Sequence, residues 1–175
     1  NFVELVSSQN KIIISRYGER KIPTGVIESG KIKDPQKMKD ILTSLRKEEG
    51  VKSLRVSLPE EQVYLFKIKL DKAGLTNVRE AIELSLEEHI PISAPDAIFD
   101  YELLSETDQN LELQVAAIPK NVIEDYLLVF QDSFISVQSF ELEAQAISRA
   151  IIKKGDMDTY MIVDFWQTRT GIFII

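Results

Sequence analysis

The stretch that decides the fold runs from Val115 to Ile151 and reads VAAIPKNVIEDYLLVFQDSFISVQSFELEAQAISRAI. The spacing of its apolar residues changes three times, from strand to helix, back to strand, and again to helix. It predicts the end of a strand, a helix over about 120–132, the strand FISVQSF, and a helix over about 142–152. Strands that alternate with helices are typical of a mixed α/β sheet rather than an all-β sandwich.

Two more helices are predicted upstream by their capping residues. Asp34 stands before Pro35, which is an N-cap residue followed by proline at the first helical position, and Gly50 is a suitable end for this helix. Either Thr76 or Asn77 can cap the second helix. Both helices carry apolar residues at helical spacing, so each should bury one face.

The remaining apolar runs are predicted to be strands. The sequence NFVELV and the following KIIISRYG form an expected hairpin. Alternating residues also mark SLRVSL and QVYLFKIKL, and DAIFDYELL and LELQVAAI read as an antiparallel pair. Because the chain begins and ends within apolar strands, we expect it to be part of a larger protein.

Composition narrows the classes of function. The 175 residues carry a net charge of −7 without a concentrated basic face, which argues against a nucleic-acid surface. There is no cysteine, so disulfides, thiolate catalysis and sulfur metal sites are excluded. The single histidine, His89, is expected to be a partly buried helix residue rather than a catalytic base. Glu60 and Glu61 are interpreted as an exposed turn.

The C-terminal stretch VDFWQTRTGIFII offers a candidate phosphate site. Asp164 at a strand end is followed by Thr168 and Thr170, but the turn between the strands lacks glycine. The residue types alone therefore favour a structural hairpin over a phosphate site. Trp166 could be either a packed residue or a contact for a partner.

The order of the motifs resembles the PilM family, the actin-like proteins of type IV pilus assembly, and more distantly FtsA. The stretches that carry the likeness are IPTGVIESGKIKD, EEHIPISAPDAIFDYELL, the stretch from Val115 to Ile151 quoted above, and YMIVDFWQTRTGIFII. They span nearly the whole chain.

The resemblance implies an actin-like, ribonuclease H-like core subdomain in the first lobe, formed by residues 1–58 and 136–154. It also implies an inserted strand–helix–strand–strand subdomain at 59–135. Residues 155–175 would form a hairpin that opens the second lobe. The fold class expected is thus mixed α/β.

The resemblance also implies a role for the terminal hairpin. In the family, ATP with magnesium lies between the lobes, and here Asp164, Thr168, Arg169 and Thr170 would contact the nucleotide, with Asp164 reaching the magnesium ion through water. Trp166 replaces the glycine that the family has in this loop. We therefore predict a degenerate nucleotide site, with no nucleotide bound by this fragment alone.

The implied function is that of a scaffold rather than an enzyme. A PilM-like protein would lie in the cytoplasm at the inner face of the inner membrane and bind the N-terminal tail of a PilN-like membrane protein. Membrane association would be indirect, oligomers are possible, and the residues that bind the partner are not identified by the sequence. The alternatives are a working, if weak, actin-like ATPase and an FtsA-like membrane-associated filament subunit.

Overall fold

The computed structural model describes residues 1–8, 11–58, 60–156, 158–165 and 170–175. Its strands are β1 (Phe2–Ser8), β2 (Lys11–Gly18), β3 (Ile27–Glu28), β4 (Lys31–Ile32), β5 (Ser53–Leu58), β6 (Tyr64–Asp71), β7 (Ala97–Glu106), β8 (Asn110–Pro119), β9 (Ser136–Leu142), β10 (Met161–Phe165) and β11 (Thr170–Ile174). Its helices are α1 (Pro35–Glu49), α2 (Val78–His89), α3 (Lys120–Asp132) and α4 (Glu143–Ile151).

The strands pair in five groups within the described residues. Three are antiparallel hairpins, formed by β1 with β2, β3 with β4, and β10 with β11. Strands β5 and β9 pair in parallel, and a three-stranded antiparallel sheet has the order β6–β8–β7. The predicted N-terminal and C-terminal hairpins and the predicted pairing of β7 with β8 are confirmed.

Helix α1 begins and ends where its capping residues predicted. The Asp34 side chain accepts a hydrogen bond from the Lys37 amide at 3.0 Å, which satisfies one of the free amides of the first turn. Gly50 ends the helix at φ 70°, and its amide donates to the Arg46 carbonyl oxygen at 3.0 Å. A residue with a side chain is strained at this backbone angle, which explains the glycine.

A first hydrophobic core lies between α1, α3 and the β5–β9 pair. Its buried residues are Val26, Ile32, Met38, Leu42, Leu45, Leu58, Ile118, Val122, Ile123, Tyr126, Val129, Phe130 and Ile135. The resemblance placed residues 120–132 with the inserted subdomain, yet helix α3 shares this core with α1. The domain boundaries stay a prediction, and the packing of α3 groups it with the first core.

A second core lies between α2 and one face of the β6–β8–β7 sheet. On α2, Ile82 and Leu86 are fully buried, and on β8 the alternate residues Leu113 and Val115 are at most 2% exposed. Each such side chain contributes about 1.5–3 kcal/mol through burial. The helix and the three strands, residues 64–119, therefore have a core of their own.

Strand β9 begins later than the sequence predicted, which corrects the strand FISVQSF. Phe134 has a left-handed backbone at φ 57° and a side chain that is 79% exposed, so it belongs to the turn after α3. Its amide donates to the Gln131 carbonyl oxygen, which closes the end of the helix. The strand runs instead from Ser136 to Leu142.

Candidate functional site

An apolar groove of about 600 Å³ lies between the two cores. Its floor is the face of the three-stranded sheet that α2 does not cover. Because side chains alternate along a strand, the residues between the buried ones point to this open face. The floor residues are Leu65, Ile98, Ala116 and Ile118, and the opposite wall is formed by Leu58, Ile123, Phe140, Leu142 and Gln145.

The groove is open to solvent along the sheet edges. Leu65 on β6 is 58% exposed, and Ile98 on β7 is 38% exposed. Exposed apolar side chains next to a concave surface mark interaction sites more often than isolated ones do. The groove is therefore the candidate binding site in the described part of the chain.

One hydrogen bond holds the wall of the groove to the connection between the cores. The first turn of α4 has no capping side chain at its own N-cap, Leu142. The carboxylate of Glu60 supplies the acceptor instead, taking a hydrogen bond from the Ala144 amide at 2.8 Å. The interpretation of Glu60 as a simple exposed turn was wrong, because this carboxylate is half-buried against α4. In the sequence, the lack of a capping residue at the start of α4 was the signal that could have pointed to this contact.

The rim of the groove is acidic. Asp100 and Glu102 lie on the open face of β7, and Glu141 at the end of β9 also lines the groove. Glu141 forms an ion pair with Arg149 of α4. Within the described residues, neither Asp100 nor Glu102 has a basic side chain within ion-pair distance, and Asp100 accepts only the Tyr101 amide.

Two of the predicted nucleotide-binding residues, Asp164 and Thr170, lie on the strands of the terminal hairpin. In the β10–β11 register, Asp164 lies opposite Gly171, and Phe165 lies opposite Thr170. Directly opposed residues point to the same face, whereas consecutive residues point to opposite faces. Asp164 and Thr170 therefore lie on opposite faces of the hairpin. Asp164 is half-buried and Thr170 is exposed.

The segment between these strands contains the other two predicted nucleotide contacts, Thr168 and Arg169, and Trp166 in place of the expected glycine. Trp166, Thr168 and Arg169 lie outside the described residues. ATP with magnesium needs several donors that converge on one anion, and the two described residues, on opposite faces, do not form such a set. The described residues also contain no group of three or more metal-ligating side chains. Nucleotide binding at this hairpin stays a prediction.

His89 is exposed, which corrects the prediction of a partly buried histidine. Its ring stacks on Phe66 with the ring centroids 4.6 Å apart and an angle of 17° between the planes. The position follows from α2 ending here, since the next residue, Ile90, takes the buried place in the second core. His89 therefore lies at the solvent-exposed edge of the contact between α2 and β6.

Comparison with known proteins identifies the family. The family model described as type IV pilus assembly protein PilM matches residues 1–174. This chain belongs to the PilM family. A search of the curated proteins found no match. The resemblance inferred from the motif order is thus confirmed over almost the whole chain.

Two solved structures are similar to this chain, and the first of them shares its fold. A chain in a PilM-PilN type IV pilus biogenesis complex covers 99% of this chain with 17% identity and a TM-score of 0.85. The cytoplasmic domain of EpsL, an inner-membrane component of the type II secretion system of Vibrio cholerae, aligns over 78% of this chain and 49% of that chain, with 14% identity and a TM-score of 0.48. The mixed α/β fold class is confirmed by the first of these two structures.

Two further facts concern the extent of the match and the helices of the chain. This chain spans about half, 54%, of the chain that it matches in the PilM-PilN complex. No helix in the described ranges is long and apolar enough to cross a membrane.

Proposed function

We propose that this chain is the part of a type IV pilus scaffold that binds the cytoplasmic tail of a PilN-like inner-membrane protein, and that the apolar groove receives the tail. The observation that carries the proposal is the groove itself, an open apolar surface between two packed cores. A scaffold of this kind would lie at the inner face of the inner membrane.

The shape and chemistry of the groove suit a peptide segment. Its volume of about 600 Å³ is within the roughly 300–1,000 Å³ that ligand pockets enclose. Apolar side chains of the tail would replace water over Ala116 and Ile118 on the floor and Phe140 on the wall. Burial of apolar surface at about 25 cal/mol per Å² would supply most of the affinity.

The family assignment gives the proposal its partner. One solved chain that shares this fold comes from a PilM-PilN type IV pilus biogenesis complex. We extend this partnership to the present chain through membership of the family.

The test uses the full-length protein and a fluorescent peptide of the partner's N-terminal cytoplasmic segment. Ala116 is a small residue on the floor of the groove, so Ala116→Phe fills the groove without displacing a core side chain. We expect its Kd for the peptide to rise at least tenfold, measured by fluorescence anisotropy. Ala150→Phe, at an exposed site on α4, is the matched control and should bind as the wild type does.

Two results would contradict the proposal. One is a wild-type protein that does not bind the tail peptide at high micromolar concentration. The other is an Ala116→Phe variant that folds normally, as judged by circular dichroism and urea denaturation, and still binds with unchanged affinity.

Nucleotide binding is a separate proposal, of a degenerate site at the terminal hairpin. In the full-length protein, ATP with magnesium should raise the melting temperature little or not at all, because a ligand at free concentration L stabilises the folded state by RT ln(1 + L/Kd), which is small when Kd is large. A large rise that Asp164→Ala abolishes would show a working site instead.

A further inference from the structure

The net negative charge of the chain is concentrated in residues 60–119. Residues 60–119, here called the acidic subdomain, carry thirteen acidic and four basic side chains, a net charge of −9. The whole chain has a net charge of only −7, so the remaining residues are slightly basic. The acidic subdomain contains α2 and the three-stranded sheet, and it supplies the floor of the groove.

Two of these acidic residues face the groove. Asp100 and Glu102 are two positions apart on β7, so both side chains stand on the open face of the sheet, roughly 7 Å apart. Their cross-strand neighbours on β8 are Ala116 and Gln114, which carry no charge. Glu106, farther along β7, differs from them because it forms an ion pair with Lys72 at 2.6 Å.

We propose that Asp100 and Glu102 make the groove select a partner segment in which basic residues flank the apolar ones. The inference rests on the proposed function, in which the segment is the cytoplasmic tail of a membrane protein. Cytoplasmic segments next to a membrane-spanning helix carry an excess of Lys and Arg. The charge of the tail is thus opposite to the charge of the groove rim.

The same charges disfavour two other occupants. A second copy of this chain that paired through β7 would bring acidic rims together, and like charges at an interface are repulsive. The cytoplasmic leaflet of a membrane is itself negative, so it repels the acidic subdomain. The tail therefore supplies the attraction that holds this surface near the membrane.

Complementary charge of this kind acts on the association rate and is weakened by salt. The Asp100→Asn/Glu102→Gln double variant should bind the tail peptide three- to tenfold more weakly than the wild type at 20 mM salt. The difference should fall below twofold at 500 mM salt. The loss should appear mainly in the association rate, measured by stopped-flow fluorescence.

Two controls isolate the groove rim from the overall charge. Glu83→Gln/Glu88→Gln removes the same charge from exposed positions on α2, on the other side of the sheet, and should change the affinity less than twofold. A tail peptide with its Lys and Arg replaced by Gln should bind the wild type and the Asp100→Asn/Glu102→Gln variant equally.

The outcomes separate this inference from the proposed function. Loss of binding in Ala116→Phe together with no effect of the rim variant would overturn the charge selection and leave the groove in place. Equal weakening by the rim and α2 variants would show a response to net charge alone and would also overturn it. Sedimentation of the wild type with vesicles that contain anionic lipid, without any tail, would overturn the repulsion from the membrane.

Discussion

Tyr126 provides a sharp test of how α3 is fixed in the first core. Its side chain is 5% exposed, and its hydroxyl donates to the Gly30 carbonyl oxygen at 3.2 Å, which joins the helix to the β3–β4 turn. Burial, together with the nearby charge of Glu61, raises the pKa of Tyr126 to about 12 from 10.0. Tyr126→Phe removes the hydroxyl and keeps the ring.

The cost of this substitution should depend on pH. At pH 7 the variant loses one buried hydrogen bond, worth about 1 kcal/mol of unfolding free energy. Above pH 10 the unfolded tyrosine ionises while the folded one stays protonated, so the wild type loses stability as pH rises. At pH 11 this loss is about 1.4 kcal/mol. The difference between the two proteins should therefore shrink to about zero at pH 11.

The assay is urea denaturation followed by circular dichroism at pH 7 and pH 11. All other side chains are the same in both proteins, so their contributions cancel in the difference. Tyr17→Phe is the control, since Tyr17 is 82% exposed and its substitution should leave stability unchanged at pH 7. A Tyr126→Phe difference that stays the same at both pH values would refute the assignment of a buried, protonated hydroxyl.

Three further substitutions test the packing and the helix ends by urea denaturation. Leu86→Ala, at a fully buried site in the second core, should cost about 2–5 kcal/mol, whereas Leu84→Ala on the same helix, at an 81% exposed site, should cost far less. Asn77→Ala should cost about 1 kcal/mol, because the Asn77 side chain accepts hydrogen bonds from the amides of residues 79 and 80. Gly50→Ala should cost about 1 kcal/mol through strain at φ 70°. An unchanged urea midpoint for Leu86→Ala, Asn77→Ala or Gly50→Ala would contradict the burial, the helix cap or the backbone strain that each of them tests.

Elements whose ends are set by neighbouring residues could be predicted from the sequence. Asp34 and Gly50 bound α1 through hydrogen bonds that span only a few positions, and Asn77 caps α2 in the same way. The helix over 120–132 was also predicted with its observed bounds, because its apolar face is regular. In each case the signal and the structure that it specifies lie in the same short segment.

The groove could not be predicted in this way. Its floor on β7 and β8 and its wall on β9 and α4 come from segments that are far apart in the sequence. Neither the open face of the sheet nor the Glu60 contact to Ala144 follows from a local pattern. The left-handed backbone angle of Phe134 could not be predicted either, because the apolar residues around it favour a strand.

The two cores are joined at the groove by a continuous piece of backbone, and this bears on how a tail would bind. Strand β8 ends at Pro119 and α3 begins at the next residue, so the floor of the groove leads directly into the helix that forms part of its wall. Ile118 packs in the first core, although most of its strand packs in the second. A hinge between the cores would have to bend this junction and break the Glu60 contact to α4. If the groove receives a tail as proposed, this junction and the Glu60 contact would hold the groove in shape beforehand, and the tail would spend little of its binding free energy on ordering the scaffold.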